Sequence, residues 1–317
     1  MVYVGDYADI ANSLLIAHKP KNFTCVSKPW HFLSSFLRQT RTTYKGLRNH
    51  YFICTEHFTN RGFALETITI HIEELIKEPY ASIICYPKAS KAELKKRIME
   101  LRKLGVKTIK FSGEKEAFNT PILGKGCVGI VVIAHRNGEK TALKIRRVDA
   151  DRNRMSEEAE KLKIANSVGV GPKFLAVSRN FLLMQFVEGE FLPKWLEKRL
   201  KKDHVKAVLR GILEQCWLLD NIGLDHGELS YAPKHIIVNS AYKPYIIDFE
   251  TASLNRRPSN VTSICQFLFI SGQTAQKVIE KVGEVHKKAV MEALRSYKQD
   301  RTKANFEKIL EACGIKL

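Results

Sequence analysis

The sequence has no long apolar run, no paired cysteines and few acidic residues. No segment approaches the roughly 20 consecutive apolar residues that a membrane-spanning helix requires, and the start of the chain, Met1–Asp6, lacks the basic and apolar regions of a secretory signal. The seven cysteines are dispersed and include no Cys-x-x-Cys pair, so neither a zinc site nor a disulfide framework is indicated. We therefore expect a cytoplasmic protein with no membrane partner.

Acidic residues are too few to balance the basic ones. The chain has 33 Asp and Glu against 52 Lys and Arg, which leaves a formal net charge of +19. Self-repulsion at this charge opposes compaction, whereas a polyanionic partner releases counterions as its phosphates are neutralised. The balance favours a nucleic-acid partner, although solubility or adaptation to an unusual cell interior would also produce it. Nothing in the sequence indicates the oligomeric state.

Three regions are predicted along the 317 residues. Residues 1–114 have the pattern of a basic α/β module, residues 115–188 that of a small lobe rich in strands, and residues 189–317 that of a helical lobe. The predicted fold class is therefore α+β, with two lobes and an additional module before them.

The first region combines helical and strand patterns. Apolar residues have helical spacing in Asp6–His18 and Trp30–Leu37, and a strand, a helix and a strand are predicted over Ala81–Tyr86, Lys91–Leu104 and Val106–Phe111. The last helix carries Lys91, Lys95, Lys96, Arg97, Arg102 and Lys103. This concentration of basic residues makes residues 1–114 the expected docking module for an anionic substrate, the alternative being an ordinary solvated helix face.

A glycine-rich segment begins the small lobe. It consists of Leu123, Gly124, Lys125, Gly126, Cys127, Val128, Gly129, Ile130 and Val131. A Rossmann turn shares the glycine spacing but opens a helix, whereas here a strand is predicted to Ala134 and a second over Thr141–Ile145. Protein kinases cover the nucleotide phosphates with this strand-turn-strand arrangement. We therefore predict that the segment binds ATP together with Ala142.

Three charged residues complete a phosphate-handling pattern. Lys144 lies among apolar strand residues, where a lysine needs a partner; kinases provide the phosphates and an acid on the next helix. In the predicted helix Ser156–Ala165 that acid is Glu158, while Glu157 and Glu160 are expected to face solvent. Asp248 follows an apolar strand at the place of a magnesium-binding carboxylate. The predicted cofactors are ATP and Mg²⁺.

The segment Phe181–Gly189 resembles the last strand of a kinase small lobe running into the hinge. We expect the backbone of Gln185–Val187 to hydrogen-bond the adenine, with Met184 behind it. A simple core strand would show the same apolar pattern.

A family resemblance rests on the segments His226-Gly227-Glu228-Leu229-Ser230 and Lys234–Val238. They resemble the His-Gly-Asp-Leu-Ser and Asn-Ile segments of RIO and Bud32 atypical kinases. The resemblance covers about residues 118–270 and implies a bilobal kinase fold. More closely, the chain resembles archaeal RIO-like kinases that phosphorylate a tRNA at the ribose 2′-hydroxyl of a variable-loop uridine.

The sequence departs from the family pattern at three positions. The catalytic aspartate is replaced by Glu228, with Asp225 as the rival residue for orienting the acceptor hydroxyl. The metal-binding asparagine falls on Pro233, so that His235 is expected to take its place beside the metal or Glu228. Glu250 stands where Asp-Phe-Gly has its glycine.

The short segment between Asp248 and the predicted helix Val261–Ile270 argues against a conventional protein kinase. Protein kinases place a long activation loop there, whereas this chain has only Thr251–Pro258, with Ser259 as the predicted cap of the helix. We hypothesise an ATP-dependent RNA kinase acting on tRNA. The alternatives are a RIO-like serine protein kinase or ATPase, and a non-catalytic nucleotide- and RNA-binding module.

Overall fold

A computed structural model describes residues 67–151 and 155–315. The chain divides into two compact units, Met1–Ala64 and Leu65–Leu317, and the described residues belong to the second. The helices predicted over Asp6–His18 and Trp30–Leu37 lie outside the described residues.

An antiparallel sheet of seven strands forms the first part of the described chain. Its strands are β1 (Ile68–His71), β2 (Val106–Phe111), β5 (Gly124–Lys125), β6 (Gly129–Arg136), β7 (Glu139–Arg146), β8 (Phe174–Val177) and β9 (Phe181–Gln185). Their order in the sheet is β1-β2-β6-β7-β9-β8, with β5 paired to β6. A separate hairpin consists of β3 (Lys115–Ala117) and β4 (Thr120–Ile122).

This part of the chain also contains three helices, α1 (Tyr80–Ile84), α2 (Lys91–Lys103) and α3 (Ser156–Ser167). Ser90 begins α2 as predicted, because its side chain accepts a hydrogen bond from the Glu93 N–H at 3.2 Å. A 3₁₀ turn over Ile72–Ile76 links β1 to α1.

The predicted boundary at residue 114 is not where the compact units divide. Thr108–Lys110 of β2 lie opposite Ile133–His135 of β6. One hydrophobic core unites Leu75, Ile98 and Ile109 with Val132 and Leu143. The described residues before 114 are therefore part of the small-lobe sheet, because two strands of that sheet come from them.

The strand predicted over Ala81–Tyr86 is wrong, since this segment contains helix α1. Both edges of β2 are already occupied, by β1 and β6, so no strand position next to it is open. Ser82 N–H instead donates to the Glu78 carboxylate at 3.2 Å at the start of the helix. A short buried apolar run has the same appearance in a strand and in a helix.

Arg97 fastens α2 to the sheet and is fully buried, contrary to its predicted place on the docking face. Its guanidinium donates to the carbonyls of Ile84 and Arg146 at 2.7 and 2.6 Å, to Asn180 Oδ1 at 3.2 Å, and to the Glu93 carboxylate at 2.8 Å. A buried guanidinium is tolerated because its donors are satisfied.

The second part is mainly helical, and its core also includes Leu162 and Ala165 of α3 and Val170, which follows that helix. Its elements are the sheet strands β10 (Gly189–Phe191), β11 (Ile236–Asn239) and β12 (Pro244–Ile246), and the helices α4 (Leu192–Trp195), α5 (Lys202–Asn221), α6 (Asn260–Cys265), α7 (Gln273–Val282), α8 (Lys287–Gln299) and α9 (Lys303–Ala312). A π-helical turn, Gln266–Ile270, follows α6. In the described ranges no helix has the length and apolar character to span a bilayer.

Candidate nucleotide and phosphoryl-transfer site

The glycine-rich segment forms the predicted strand-turn-strand unit. Gly124 and Lys125 pair with Val131 and Ile130, and Gly126 N–H donates to the Gly129 carbonyl at 2.8 Å to close the turn. Of the three glycines, Gly129 is the one constrained by close packing, because a Cβ there would lie 2.8 Å from the Ile145 carbonyl oxygen. The exposed turn, residues 125–127, is available to approach a ligand.

Arg147 fixes this turn. Its N–H donates to the Val128 carbonyl at 2.8 Å and its guanidinium to the Gly126 carbonyl at 3.1 Å. Asp149 accepts from the same guanidinium at 2.8 and 2.7 Å, so the arginine is held in place. The turn is thereby tied to the residue that directly follows β7.

Lys144 on β7 is the centre of a buried ion-pair cluster. Its Nζ donates to Glu158 at 2.9 Å, to Asp248 at 2.9 Å and to Glu250 at 2.8 Å. Helix α3 turns Glu158 inward and leaves Glu157 and Glu160 exposed, so Glu158 is the acid of this helix that pairs with Lys144. The third carboxylate, Glu250, was noted in the sequence only as a substitution for glycine.

Burial and charge act in opposite directions in this cluster. Burial alone would lower the pKa of Lys144, but the attraction of the carboxylates outweighs it and raises the pKa. Burial raises the pKa of Glu158, against the opposing effect of Lys144. Burial would also raise the pKa of Asp248, yet the adjacent ammonium lowers it. Lys144 is therefore charged at neutral pH and Asp248 ionised.

Asp248 stands two residues after the end of β12 in a left-handed backbone conformation, with φ of +67°. The next residue, Phe249, is buried, and its ring lies 5.2 Å from that of His226. The fully buried His226 also places Nε2 3.1 Å from the Ile247 carbonyl oxygen. Packing of Phe249 thus turns the chain so that the Asp248 carboxylate reaches Lys144.

Glu228 and His235 lie together as predicted. His235 Nε2 is 3.2 Å from a carboxylate oxygen of Glu228, with exposed side-chain fractions of 17% and 39%. Glu228 is thus the more accessible of the two, and it can reach a group arriving from solvent. His235 therefore contacts Glu228, while its place beside a metal stays a prediction.

The expected hinge follows β9. Met184 pairs with Ala142 across the sheet, which brings two predicted nucleotide-binding residues side by side. Gln185 departs from the expectation, since its N–H donates to the Lys173 carbonyl at 2.8 Å. The adenine contacts expected here therefore rest on Phe186 and Val187, both half-buried.

Comparisons with known proteins agree with this geometry. A family model described as RIO domain matches residues 132–262, a range that contains Lys144, Glu158, Glu228 and Asp248. Uncharacterized protein MJ1211 of Methanocaldococcus jannaschii is 32% identical over 118 residues, which are 37% of this chain and 99% of that protein.

The chain belongs to the RIO family. Members of this family are atypical kinases and ATPases with a bilobal, kinase-like α+β fold, so ATP-dependent phosphotransfer is the general activity of the domain. The family generally uses ATP and Mg²⁺.

Within the RIO domain, Asp225 is occupied by structural contacts. One of its carboxylate oxygens accepts from Arg256 Nε at 2.9 Å, and the other from the N–H and hydroxyl of Ser259 at 3.0 and 3.3 Å. Asp225 and Ser253 also exchange backbone hydrogen bonds of 2.9 and 2.8 Å. These contacts fix the loop after Asp248 and leave Glu228 as the accessible carboxylate of the two rivals.

A second buried network holds the loop of residues 225–230, which contains Glu228, and no sequence pattern pointed to this network. Asp220 at the end of α5 accepts from the N–H of Asn260 at 2.9 Å and of Val261 at 3.3 Å, and from Tyr297 OH at 3.1 Å. Asn260 Oδ1 in turn accepts from the His226 N–H at 2.8 Å. Asp220 therefore accepts from the buried N–H groups at the start of α6, which have no partner within the helix, whereas the predicted cap Ser259 makes no side-chain capping bond.

Two sets of side chains in the described RIO domain fit a divalent cation. One set is Glu228, His235 and Asp248, the other Glu158, Asp248 and Glu250, and in each set the donor atoms lie within 4.8 Å of one another. Carboxylate oxygens suit Mg²⁺ and Mn²⁺, whereas imidazole suits other transition metals better. Asp248 belongs to both sets, consistent with its predicted role as a metal ligand.

Proposed function

We propose that this RIO domain is an RNA kinase that transfers the γ-phosphoryl group of ATP to the ribose 2′-hydroxyl of an internal tRNA nucleotide, a uridine of the variable loop. The proposal combines the resemblance to archaeal tRNA kinases with the net charge of +19. The observation that carries it is the exposed, basic and aromatic surface beside Glu228.

That surface consists of residues on two loops next to the site. Tyr231, three residues after Glu228, is 76% exposed, the largest fraction among the large hydrophobic side chains of the described residues. Lys234, Arg256 and Arg257 are exposed as well. Aromatic rings stack on unpaired bases, and basic side chains bind the adjoining phosphates.

The loop after Asp248 supports an acceptor other than a peptide. Arg256, whose Nε donates to Asp225, also donates to the Thr251 carbonyl at 2.7 Å, and Arg257 donates to the Lys298 carbonyl at 2.7 Å. The loop is thus short and fixed, without the long segment on which protein kinases bind peptides.

The exposed lysines of α2 are proposed as a second docking surface for the RNA. Lys91, Lys95, Lys96 and Lys103 are exposed on this helix, while Arg102 pairs with Glu73. These exposed lysines would neutralise phosphates of a large RNA that reaches both α2 and the loop that contains Glu228.

The side chains have distinct roles in the proposed reaction. Glu228 orients the acceptor hydroxyl and receives its proton as the acceptor oxygen attacks the γ-phosphorus. The bond between the γ-phosphorus and the bridging oxygen breaks, and ADP leaves. Lys144 holds the phosphates, Glu158 positions Lys144, and bound Mg²⁺ neutralises phosphate charge.

The test is incubation of the full chain with Mg²⁺, tRNA and ATP radiolabelled in its γ-phosphate, followed by nuclease digestion and nucleotide analysis. We expect label in one internal nucleotide, resistant to protease and lost in Asp248→Ala. Label in protein alone would instead indicate a serine protein kinase. Affinity for tRNA and ATP without transfer would indicate a non-catalytic binding module.

A further inference from the structure

Glu250 occupies a position at which the family pattern has glycine, and its carboxylate is part of the site. The side chain is 18% exposed, and a carboxylate oxygen lies 2.8 Å from Lys144 Nζ. An ammonium has three N–H donors. Glu158, Asp248 and Glu250 accept all of them, so Lys144 must release a carboxylate before it can bind a phosphate.

The charges of this cluster do not balance. Three carboxylates surround one ammonium, which leaves a local charge of about −2 when the acids are ionised. Like charges at these separations repel strongly where water is scarce. A divalent cation compensates this charge, and oxygen atoms of Asp248 and Glu250 lie close enough together to share one.

We propose that Glu250 is a metal ligand, which with Asp248 holds the divalent cation that accompanies the nucleotide and thereby frees Lys144 for the phosphates. This inference rests on the proposed ATP-dependent phosphoryl transfer, but it does not depend on the identity of the acceptor. It assigns the extra carboxylate the task of the missing metal-binding asparagine.

Burial separates the roles of the three acids. Glu158 is 4% exposed, lies on α3 and has Lys144 as its partner, so it retains the lysine. Asp248 and Glu250 are more exposed, with side-chain fractions of 39% and 18%, so they are more accessible to a cation arriving from solvent. When these two bind the cation, two N–H groups of Lys144 become available to phosphate oxygens.

His235 is the weaker candidate for the second ligand. Its Nε2 is already 3.2 Å from Glu228, and an imidazole nitrogen is a less suitable ligand than a carboxylate for Mg²⁺ or Mn²⁺. A histidine in this place supports the orientation of Glu228 instead.

The test measures Mn²⁺ binding to the full chain by electron paramagnetic resonance of the free ion, with and without a non-hydrolysable ATP analogue. Glu250→Gln and Glu250→Gly are compared with His235→Ala and with Glu214→Gln, which alters an acid paired to Arg210 on α5. Circular dichroism identifies the variants that retain the fold.

We expect both Glu250 variants to bind Mn²⁺ at least about tenfold more weakly, because loss even of a group that only supports a ligand costs about 10–100-fold. Glu214→Gln should bind as the wild type does. Wild-type Mn²⁺ affinity in either folded Glu250 variant overturns the inference. A wild-type protein that binds Mn²⁺ with the analogue but labels no RNA would refute the proposed function and leave this inference standing.

Discussion

At the scale of single residues, the two candidate carboxylates differ in whether an acceptor could contact them. Glu228 stands at the place of the family's catalytic aspartate, with Asp225 three residues earlier as its rival, and the surroundings of the two carboxylates differ. Asp225 is buried and receives hydrogen bonds from Arg256 and Ser259, whereas Glu228 is 39% exposed beside His235. Accessibility therefore favours Glu228 over Asp225 for orienting the acceptor hydroxyl in the proposed reaction.

We expect Glu228→Gln to lower kcat by about 10²–10⁴, the usual contribution of a positioned proton acceptor, with little change in stability. Asp225→Asn should instead destabilise the fold by about 1–3 kcal/mol, because buried donors lose a charged acceptor. Steady-state kinetics and urea unfolding of both variants measure the two effects. The opposite pattern, a catalytic loss confined to Asp225→Asn, would make Asp225 the acceptor-orienting residue.

The buried His226 introduces a dependence of stability on pH. Burial lowers the pKa of His226 from 6.5 to about 4. The unfolded chain therefore binds the proton more tightly, and this contribution to stability is complete above pH 6.5 and is lost as the pH falls toward 4. At about 1.4 kcal/mol per unit, the loss amounts to about 3 kcal/mol.

Urea unfolding between pH 7 and 4 measures this loss in the wild type and in His226→Gln. We expect the variant to be less stable at pH 7 but to show a smaller change on acidification. His204→Gln, which alters a histidine stacked on Tyr242, serves as the control and should follow the wild type. An unchanged pH profile in His226→Gln would contradict the assignment.

At the scale of secondary-structure elements, the hairpin of β5 and β6 is rigid at its base and open at its turn. A Cβ at Gly129 would lie 2.8 Å from the Ile145 carbonyl oxygen and 3.3 Å from Lys144 Cγ. At Gly124 the nearest atom to an added Cβ would be Val131 Cβ, at 3.8 Å. Close packing therefore requires glycine at position 129 but not at position 124.

We expect Gly129→Ala to displace β6 from β7, to destabilise the fold by about 1–3 kcal/mol and to weaken binding of an ATP analogue about tenfold or more, since a misplaced binding element costs at least that much. Gly124→Ala, the matched control, should change both quantities little. Calorimetric titration with the analogue and thermal unfolding provide the measurements. Equal effects of the two substitutions would show that packing against β7 is not what requires Gly129.

At the scale of the whole molecule, the dominant property is the net charge of +19. The exposed lysines of α2 and the arginines near Asp225 lie on separate elements, so the proposed RNA partner would have to be large to contact both. Such binding releases counterions, and its equilibrium constant falls steeply with salt.

We expect the logarithm of the tRNA association constant, measured by fluorescence anisotropy, to fall linearly with the logarithm of the salt concentration. Replacement of Lys91, Lys95, Lys96 and Lys103 by Gln should reduce the slope, by about 0.7–0.9 for each lysine that contacts a phosphate. Binding of the ATP analogue should not change. A slope equal to that of the wild type would exclude α2 from the RNA contact.

The sequence by itself determined the β5–β6 hairpin and the inward orientation of Glu158, because residue type and local spacing specify both. The glycine spacing before β-branched residues predicts the β5–β6 hairpin, and the helical period around Ala159 predicts that Glu158 faces Lys144. Both depend on interactions between near neighbours along the chain, which residue type and spacing specify.

Tertiary structure alone decided the rest, since it depends on residues distant in the sequence. Ala81–Ile84 is helical while β2 pairs with β1 and β6, and Arg97 is buried where the carbonyls of Ile84 and Arg146 accept from its guanidinium. Glu250 joined the site only when the turn at Asp248 brought it to Lys144, 106 residues away. Long-range pairing and burial are set by the packed fold, and no local pattern encodes them.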